Sequence, residues 1–173
     1  MTSPIPVLES ERLRLRGHRP DDFANCVALW GDPEVTRYIG GRPLNSEEVW
    51  ARLLRYAGHW IWLGYGYWVA EEQSTGKFVG ELGYANLKRD IEPSLADMPE
   101  LGWVLAASFH GKGYATEAVR ATTAWGDQQF GSQPTTCIID PDNVRSIRVA
   151  EKCGFTESRR ASYKGQPTIV FTR

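Results

Sequence analysis

Cysteine is scarce: there are three, Cys26, Cys137 and Cys153, and no two form a CxxC pair. That excludes a disulfide framework, and each is expected to be a small buried hydrophobe. Neither sign of charge is in excess, with 20 Lys and Arg against 21 Asp and Glu and a net charge of −1. The chain therefore has no bulk electrostatic reason to seek nucleic acid or an anionic membrane. No apolar run reaches the ~18 residues that span a bilayer. The opening MTSPIPVLESERLRLRG also lacks the apolar stretch of a secretory leader, so a cytoplasmic protein is expected. Histidine is rare, with three residues and no HExxH or paired His/Cys spacing, and no metal site is expected. No Ser-His-Asp or Cys-His constellation, internal repeat or low-complexity tract can be read.

What the chain has is an ordinary globular mix, 42% hydrophobic and 24% charged, over 173 residues. At roughly 150 residues per domain this predicts a single domain, 1–173. Aromatics reach 12%, with seven Trp and seven Tyr. Such an excess fits a large core, an aromatic-lined pocket or an interface such as a homodimer contact.

Glu11 to Arg16 alternates strictly, which predicts a strand with Leu13 and Leu15 inward. His18 to Asp22 is a turn leading to a helix with Phe23, Cys26, Val27 and Trp30 at helical spacing, broken at Asp32-Pro33. After a loop at Gly40-Gly41 and Pro43, Asn45 or Ser46 caps the next helix, with Glu48 in capping-box position. Val49, Leu53, Tyr56 and Ala57 form its buried stripe, and an elbow is expected from Gly58 to Gly66. Tyr67–Ala70 and Phe78–Leu82 read as a hairpin, Asn86–Pro99 as a loop, and Glu100–Leu105 as a strand. A helix carrying Ala115, Ala118, Val119, Thr122 and Trp125 ends at Gly131. A strand at Thr135–Asp140, a helix capped by Asn143 with Val144, Ile147 and Ala150, and a hairpin of Glu157–Tyr163 with Thr168–Thr172 complete the chain. This order predicts an α+β fold around a mixed sheet.

The chemistry-bearing stretch is Glu100 to Thr116, a strand, a short connection and then His-Gly-Lys-Gly-Tyr-Ala-Thr opening a helix. Two glycines one residue apart let backbone approach a ligand closely. A helix's first turn adds unpaired N–H groups and a positive dipole end, together an anion site suited to phosphate. It is not a Walker A loop, because nothing matches GxxxxGK[ST]. It is not a dinucleotide fingerprint either, since Thr116 stands where the third Gly belongs.

One helix and one strand later comes Asn143-Val-Arg-Ser146-Ile-Arg-Val-Ala-Glu-Lys152-Cys-Gly154-Phe155. Together with the loop, in this order and spacing, it resembles the GNAT superfamily of acyl-CoA-dependent N-acyltransferases. His110-Gly-Lys-Gly-Tyr-Ala115 is similar to that family's Q/R-x-x-G-x-G/A loop, with His in the first place. LESERLRLR, DPEVTRYI at 32–39 and HGKGYATEAV resemble the branch typified by RimJ and RimL, the ribosomal-protein N-terminal acetyltransferases. The resemblance runs from Leu8 to the C-terminal hairpin.

It implies a mostly antiparallel twisted sheet flanked by helices, with a splayed V between the Trp103–Leu105 and Thr135–Ile139 strands. Acetyl-CoA is the implied cosubstrate, its pantetheine arm pairing with backbone of Val104 and Leu105 beside Trp103. Its diphosphate would lie over N–H groups of His110, Gly111, Lys112, Gly113, Tyr114, Ala115 and Thr116. Lys112, Arg145, Arg148 and Lys152 are equally well read as solvated cations. The implied reaction is direct attack of a neutral primary amine on the acetyl carbonyl. Asn143 and Ser146 lie near the thioester end, Ser146 as proton donor to the thiolate, although both also serve as N-cap and N3 of a helix. Glu100 is the leading base candidate and Glu81 competes, while positioning alone can carry much of the rate. The acceptor, a protein N-terminus, an amino acid or a small amine, would meet Tyr38–Arg42, Trp60–Tyr67 and Asn86–Met98. Trp60, Trp62, Tyr65 and Tyr67 form either an aromatic wall for it or ordinary core. The alternative function is an acyl-CoA-binding or regulatory domain without turnover.

Overall fold

The computed structural model describes residues 5–95 and 97–173. Part of the leader reading, residues 1–4, and one acceptor-segment position, Ala96, lie outside the described residues. Among the described residues nine strands form one sheet: β1 (Leu8–Glu9), β2 (Leu13–Arg16), β3 (Tyr67–Glu72), β4 (Phe78–Ala85), β5 (Ile91–Glu92), β6 (Glu100–Leu105), β7 (Thr136–Ile139), β8 (Thr156–Tyr163) and β9 (Gln166–Thr172). Their order across the sheet is β1-β2-β3-β4-β6-β7-β9-β8-β5. Neighbours run antiparallel, and among the described residues β6 and β7 make the one parallel pair.

Among the described residues five α-helices flank the sheet: α1 (Phe23–Trp30), α2 (Pro33–Thr36), α3 (Ser46–Leu63), α4 (Tyr114–Phe130) and α5 (Val144–Lys152). Side chains alternate across the sheet. One face packs Leu82, Tyr84, Leu101 and Leu105 with Ala118 and Val119 of α4 and Ala150 of α5. The other packs Val104 with Cys26, Leu29 and Trp30 of α1 and Val49, Leu53 and Tyr56 of α3. Trp68, Tyr84, Phe155 and Phe171 are fully buried, each contributing about 2–3 kcal/mol of transfer free energy.

Helix α3 opens as its sequence requires. Asn45 Oδ1 accepts the Glu48 N–H at 2.9 Å, and the Glu48 carboxylate accepts the Asn45 N–H at 2.9 Å. It then overrides the elbow expected at Gly58 and runs to Leu63, stopping at Gly64 in the left-handed region (φ 73°). A glycine inside a helix costs about 1 kcal/mol against Ala. Here Trp60, one half-turn on, anchors the extension by donating Nε1–H to the Tyr67 carbonyl at 2.9 Å. The Asn86–Pro99 loop contains β5, paired with Ser162 and Tyr163 of β8. The closing hairpin turns in two residues, Lys164 and Gly165, both at positive φ, which matches the right-handed twist of paired strands.

Candidate active site

The sheet separates at its centre. Strand β6 pairs with β4 along its whole length, from Gly80↔Leu105 to Ala85↔Glu100, but with β7 only at Glu100↔Thr136. The Thr136 N–H donates to Pro99 O at 3.0 Å, and the Ala106 N–H donates to Val79 O at 2.9 Å. Backbone direction alternates along a strand. Odd-numbered residues of β6 therefore turn their amides toward β7 and even-numbered ones toward β4. Trp103 and Leu105 face the widening gap, whereas Val104 spends its backbone on Glu81. The expected pair, Val104 and Leu105, cannot both face the gap, since adjacent residues of a strand point opposite ways.

The residues after β6 form the mouth of the gap. Gly111 (φ 73°) and Gly113 (φ 83°) are both left-handed, and a Cβ on Gly111 would meet nothing within 4 Å. Helix α4 starts at Tyr114 with Gly113 as N-cap and no side-chain cap. The N–H groups of its first turn, including Ala115 and Thr116, thus carry the dipole's positive end without a side-chain acceptor. The loop is held from behind. Arg12 lies 4.2 Å over the Tyr114 ring and donates Nη1–H to Lys112 O at 3.0 Å. Glu117 accepts from Arg12 Nε at 2.7 Å and from Ser10 Oγ at 2.8 Å, and Tyr114 Oη donates to Glu72. His110 Nε2 contacts Leu105 O at 2.8 Å, tying the loop to the strand. Lys112 Nζ donates to Ser108 O at 2.8 Å. Beside the loop lies a depression of about 250 Å³ lined by Glu72, Lys77, Ser108, Phe109, Lys112 and Tyr114.

Asn143 caps α5, its Oδ1 accepting the Ser146 N–H at 3.2 Å, which fixes Ser146 on the first turn beside the end of β7. Arg145, Arg148 and Lys152 are exposed. The two acids stand on the α1–α3 face. Glu100, 6% exposed, is gripped by Arg89 through Nε at 2.6 Å and Nη2 at 2.7 Å. Burial works against the Arg89 charge, but the bonds and charge of Glu100 outweigh it and its pKa is raised. Glu81 is fully buried and accepts from Trp30 Nε1 at 2.6 Å and Cys26 Sγ at 3.1 Å, with His18 Nε2 at 2.8 Å. His18, Cys26 and Glu81 have the chemistry of metal ligands and lie close together. Burial first, and then Glu81, push the Cys26 thiol far above its usual range. As the three groups lie, the Cys26 thiol donates its hydrogen bond to Glu81.

The four aromatics of the Trp60–Tyr67 stretch do not form one wall. Trp60 packs edge-on to Trp68 and Trp125, and Tyr65 packs on Phe130. Trp62 is 88% exposed, because two residues along a helix is more than half a turn from Trp60. Tyr67 alone reaches the site. Its ring stacks on Tyr56 at 4.3 Å, and its Oη occupies the place a Cβ on Gly102 would take. A cavity of about 300 Å³ opens at the Glu100 end, lined by Ala85, Asn86, Lys88, Arg89, Met98 and Glu100 among others. Arg89 falls inside the expected acceptor segment Asn86–Met98, whereas His18 and Trp30 lie outside every segment expected to form the site. Arg52 and Arg55, on the α3 turn carrying Tyr56, were likewise missed, although their spacing beside the buried stripe is visible in the sequence.

A family model described as an acetyltransferase (GNAT) domain matches residues 12–156. The uncharacterized protein YkkB of Bacillus subtilis (strain 168) is 34% identical over 172 residues, covering 96% of this chain and 94% of that protein. The crystal structure of the acetyltransferase from Agrobacterium tumefaciens str. C58 superposes with a TM-score of 0.84 at 26% identity, covering 100% of this chain and 96% of that one. RimL, a ribosomal L7/L12 alpha-N-protein acetyltransferase in complex with coenzyme A, shares the fold at a TM-score of 0.76 and 18% identity, with 97% of each chain covered.

Proposed function

Since the chain belongs to the GNAT acetyltransferase family, we propose that it transfers an acetyl group from acetyl-CoA directly to a primary amine. In this reading the whole chain acts as one domain, in the cytoplasm. The observation that carries it is the single β6–β7 rung at Glu100↔Thr136, with two left-handed glycines, Gly111 and Gly113, in the loop beyond it and no side-chain cap on the helix that follows. A gap edged by strand backbone takes an extended amide-bearing arm as an added strand would be taken. An uncapped helix start takes a diphosphate.

Acetyl-CoA supplies the acetyl group as a thioester, whose carbonyl carbon accepts the amine lone pair while the C–S bond breaks to release a thiol. The loop His110–Thr116 holds the diphosphate through backbone N–H groups. Trp103 and Leu105 orient the arm by their amides. Ser146, fixed by the Asn143 cap, gives its proton to the sulfur as it leaves. Glu100 draws the amine's proton, directly or through water, with Arg89 holding its charge; Glu81 is the second candidate, connected outward through His18. Neither acid needs to be strongly basic if positioning supplies most of the rate, roughly 7–11 kcal/mol in well-oriented cases.

The test is release of free thiol from acetyl-CoA against a panel of amines, beside calorimetry with CoA. Amine-dependent thiol release supports the reading. Tight CoA binding with no release for any amine makes the chain a non-catalytic acyl-CoA binder, and absence of both overturns the site.

A further inference from the structure

The acceptor side of the gap is set by charge. Tyr67 Oη, seated against Gly102, lies in the field of Glu100 and of Arg52, Arg89 and Arg55. Both nearby carboxylates are already engaged, Glu100 by Arg89 and Glu81 by His18, Trp30 and Cys26. The cations are not all matched. The Arg52 guanidinium lies 3.8 Å over the Trp30 ring, with Nη1 3.4 Å from Tyr56 Oη. Its Nε is buried without a hydrogen-bond partner. Arg55, three residues along the same helix, has neither an ion pair nor an aromatic partner among the described residues. Burial first, and then repulsion by Arg52, lower its pKa, yet the side chain is open to solvent. Around Tyr67 the guanidinium groups of Arg52, Arg89 and Arg55 thus stand against the carboxylate of Glu100, which Arg89 already holds, and the two on α3 keep donors to spare.

We propose that the acceptor is a primary amine that itself carries a carboxylate, of amino-acid type, with Arg55 and Arg52 holding that carboxylate beside Tyr67. This rests on the acetyl-transfer reading and narrows its substrate. Guanidinium donors bind a carboxylate through short charge-assisted bonds, often two at once. The same pair repels a polycationic amine, so the site discriminates by sign as well as by contact.

Calorimetry on the CoA-saturated and the free protein tests this. The probes are the acetylated products N-acetylglycine, N-acetyl-L-alanine, N-acetyl-L-phenylalanine and N-acetyl-L-glutamate, each against its own carboxamide. At least one acid is expected to bind ten times more tightly than its amide or better. That preference should fall below threefold in Arg55→Gln and survive in Arg55→Lys, with Arg52→Gln as a second reading of the same clamp. Amides that bind as well as acids, no binding by either member of any pair, or a preference unchanged in both glutamine variants would each overturn the proposal. The CoA titration in the same series reports separately on the cosubstrate site, and amine-dependent thiol release reports on acetyl transfer itself.

Discussion

Gly113 carries two separate demands. Its φ of 83° is one that L side chains rarely adopt, and its Cβ position is open apart from Arg12 Nη2 at 3.4 Å. Substitution there mixes backbone strain with whatever the new side chain does to a bound anion. Asn tolerates the left-handed region better than most residues and matches Asp in shape, so the pair separates the two effects. Gly113→Asp is expected to weaken CoA binding at least tenfold in calorimetry, through like charge against the diphosphate. Gly113→Asn should stay within threefold of the parent. Equal losses would make strain the cause and remove the argument that an anion sits there. The loop was legible because its seven residues are contiguous. The partners of Glu100 and Glu81 were not, since Arg89 stands 11 residues away and His18 stands 63 away, distances over which spacing carries no signal.

The elements beside the gap are coupled through one contact that no local pattern announces. Tyr67 belongs to β3 and Gly102 to β6, with β4 between them, and the hydroxyl fits only because Gly102 has no side chain. Gly102→Ala is expected to lower the melting temperature and to change acceptor KM, since either the ring or the strand must shift. Tyr67→Phe removes the overlapping oxygen, so the double variant should melt higher than Gly102→Ala alone. Thermal unfolding of the four proteins reads this coupling, and simple additivity would show that the contact does not constrain the strand. Elements with strong internal period, such as α3 and α4, were readable from their stripes. Gly58 misled because its helix cost is small beside the tertiary anchoring of Trp60. Strand β5 was invisible, because two residues have no period and its partners lie in the last hairpin.

For the whole molecule, stability should have two pH limits. At the acid end, burial opposes the charge of Asp22, but Arg16's two bonds at 2.8 Å and the Arg19 N–H outweigh it and the pKa is lowered. Glu117 is lowered too, burial again being outweighed, here by Arg12 and Ser10. A carboxylate with a depressed folded pKa stabilises above its unfolded value, about 4, and that contribution is lost as pH falls through the folded value. At the alkaline end, burial pushes Tyr84 up to about 12 and raises Tyr56 and Tyr67 as well. The unfolded chain releases these protons first, near pH 10, so stability declines from there upward. The melting temperature is expected to be level between roughly pH 5 and 9 and to fall on both sides. Asp22→Asn should lower it at pH 7 and flatten the acid limb. An unchanged acid limb in that variant would show that other carboxylates govern it.

The lone rung between β6 and β7 also divides the sheet mechanically. Strands β1, β2, β3, β4 and β6 form one plate, β7, β9, β8 and β5 the other, and backbone joins them at Glu100 and Thr136. A guest lying along the seam would complete the missing ladder and weld the plates, becoming for one turnover a structural member of its host.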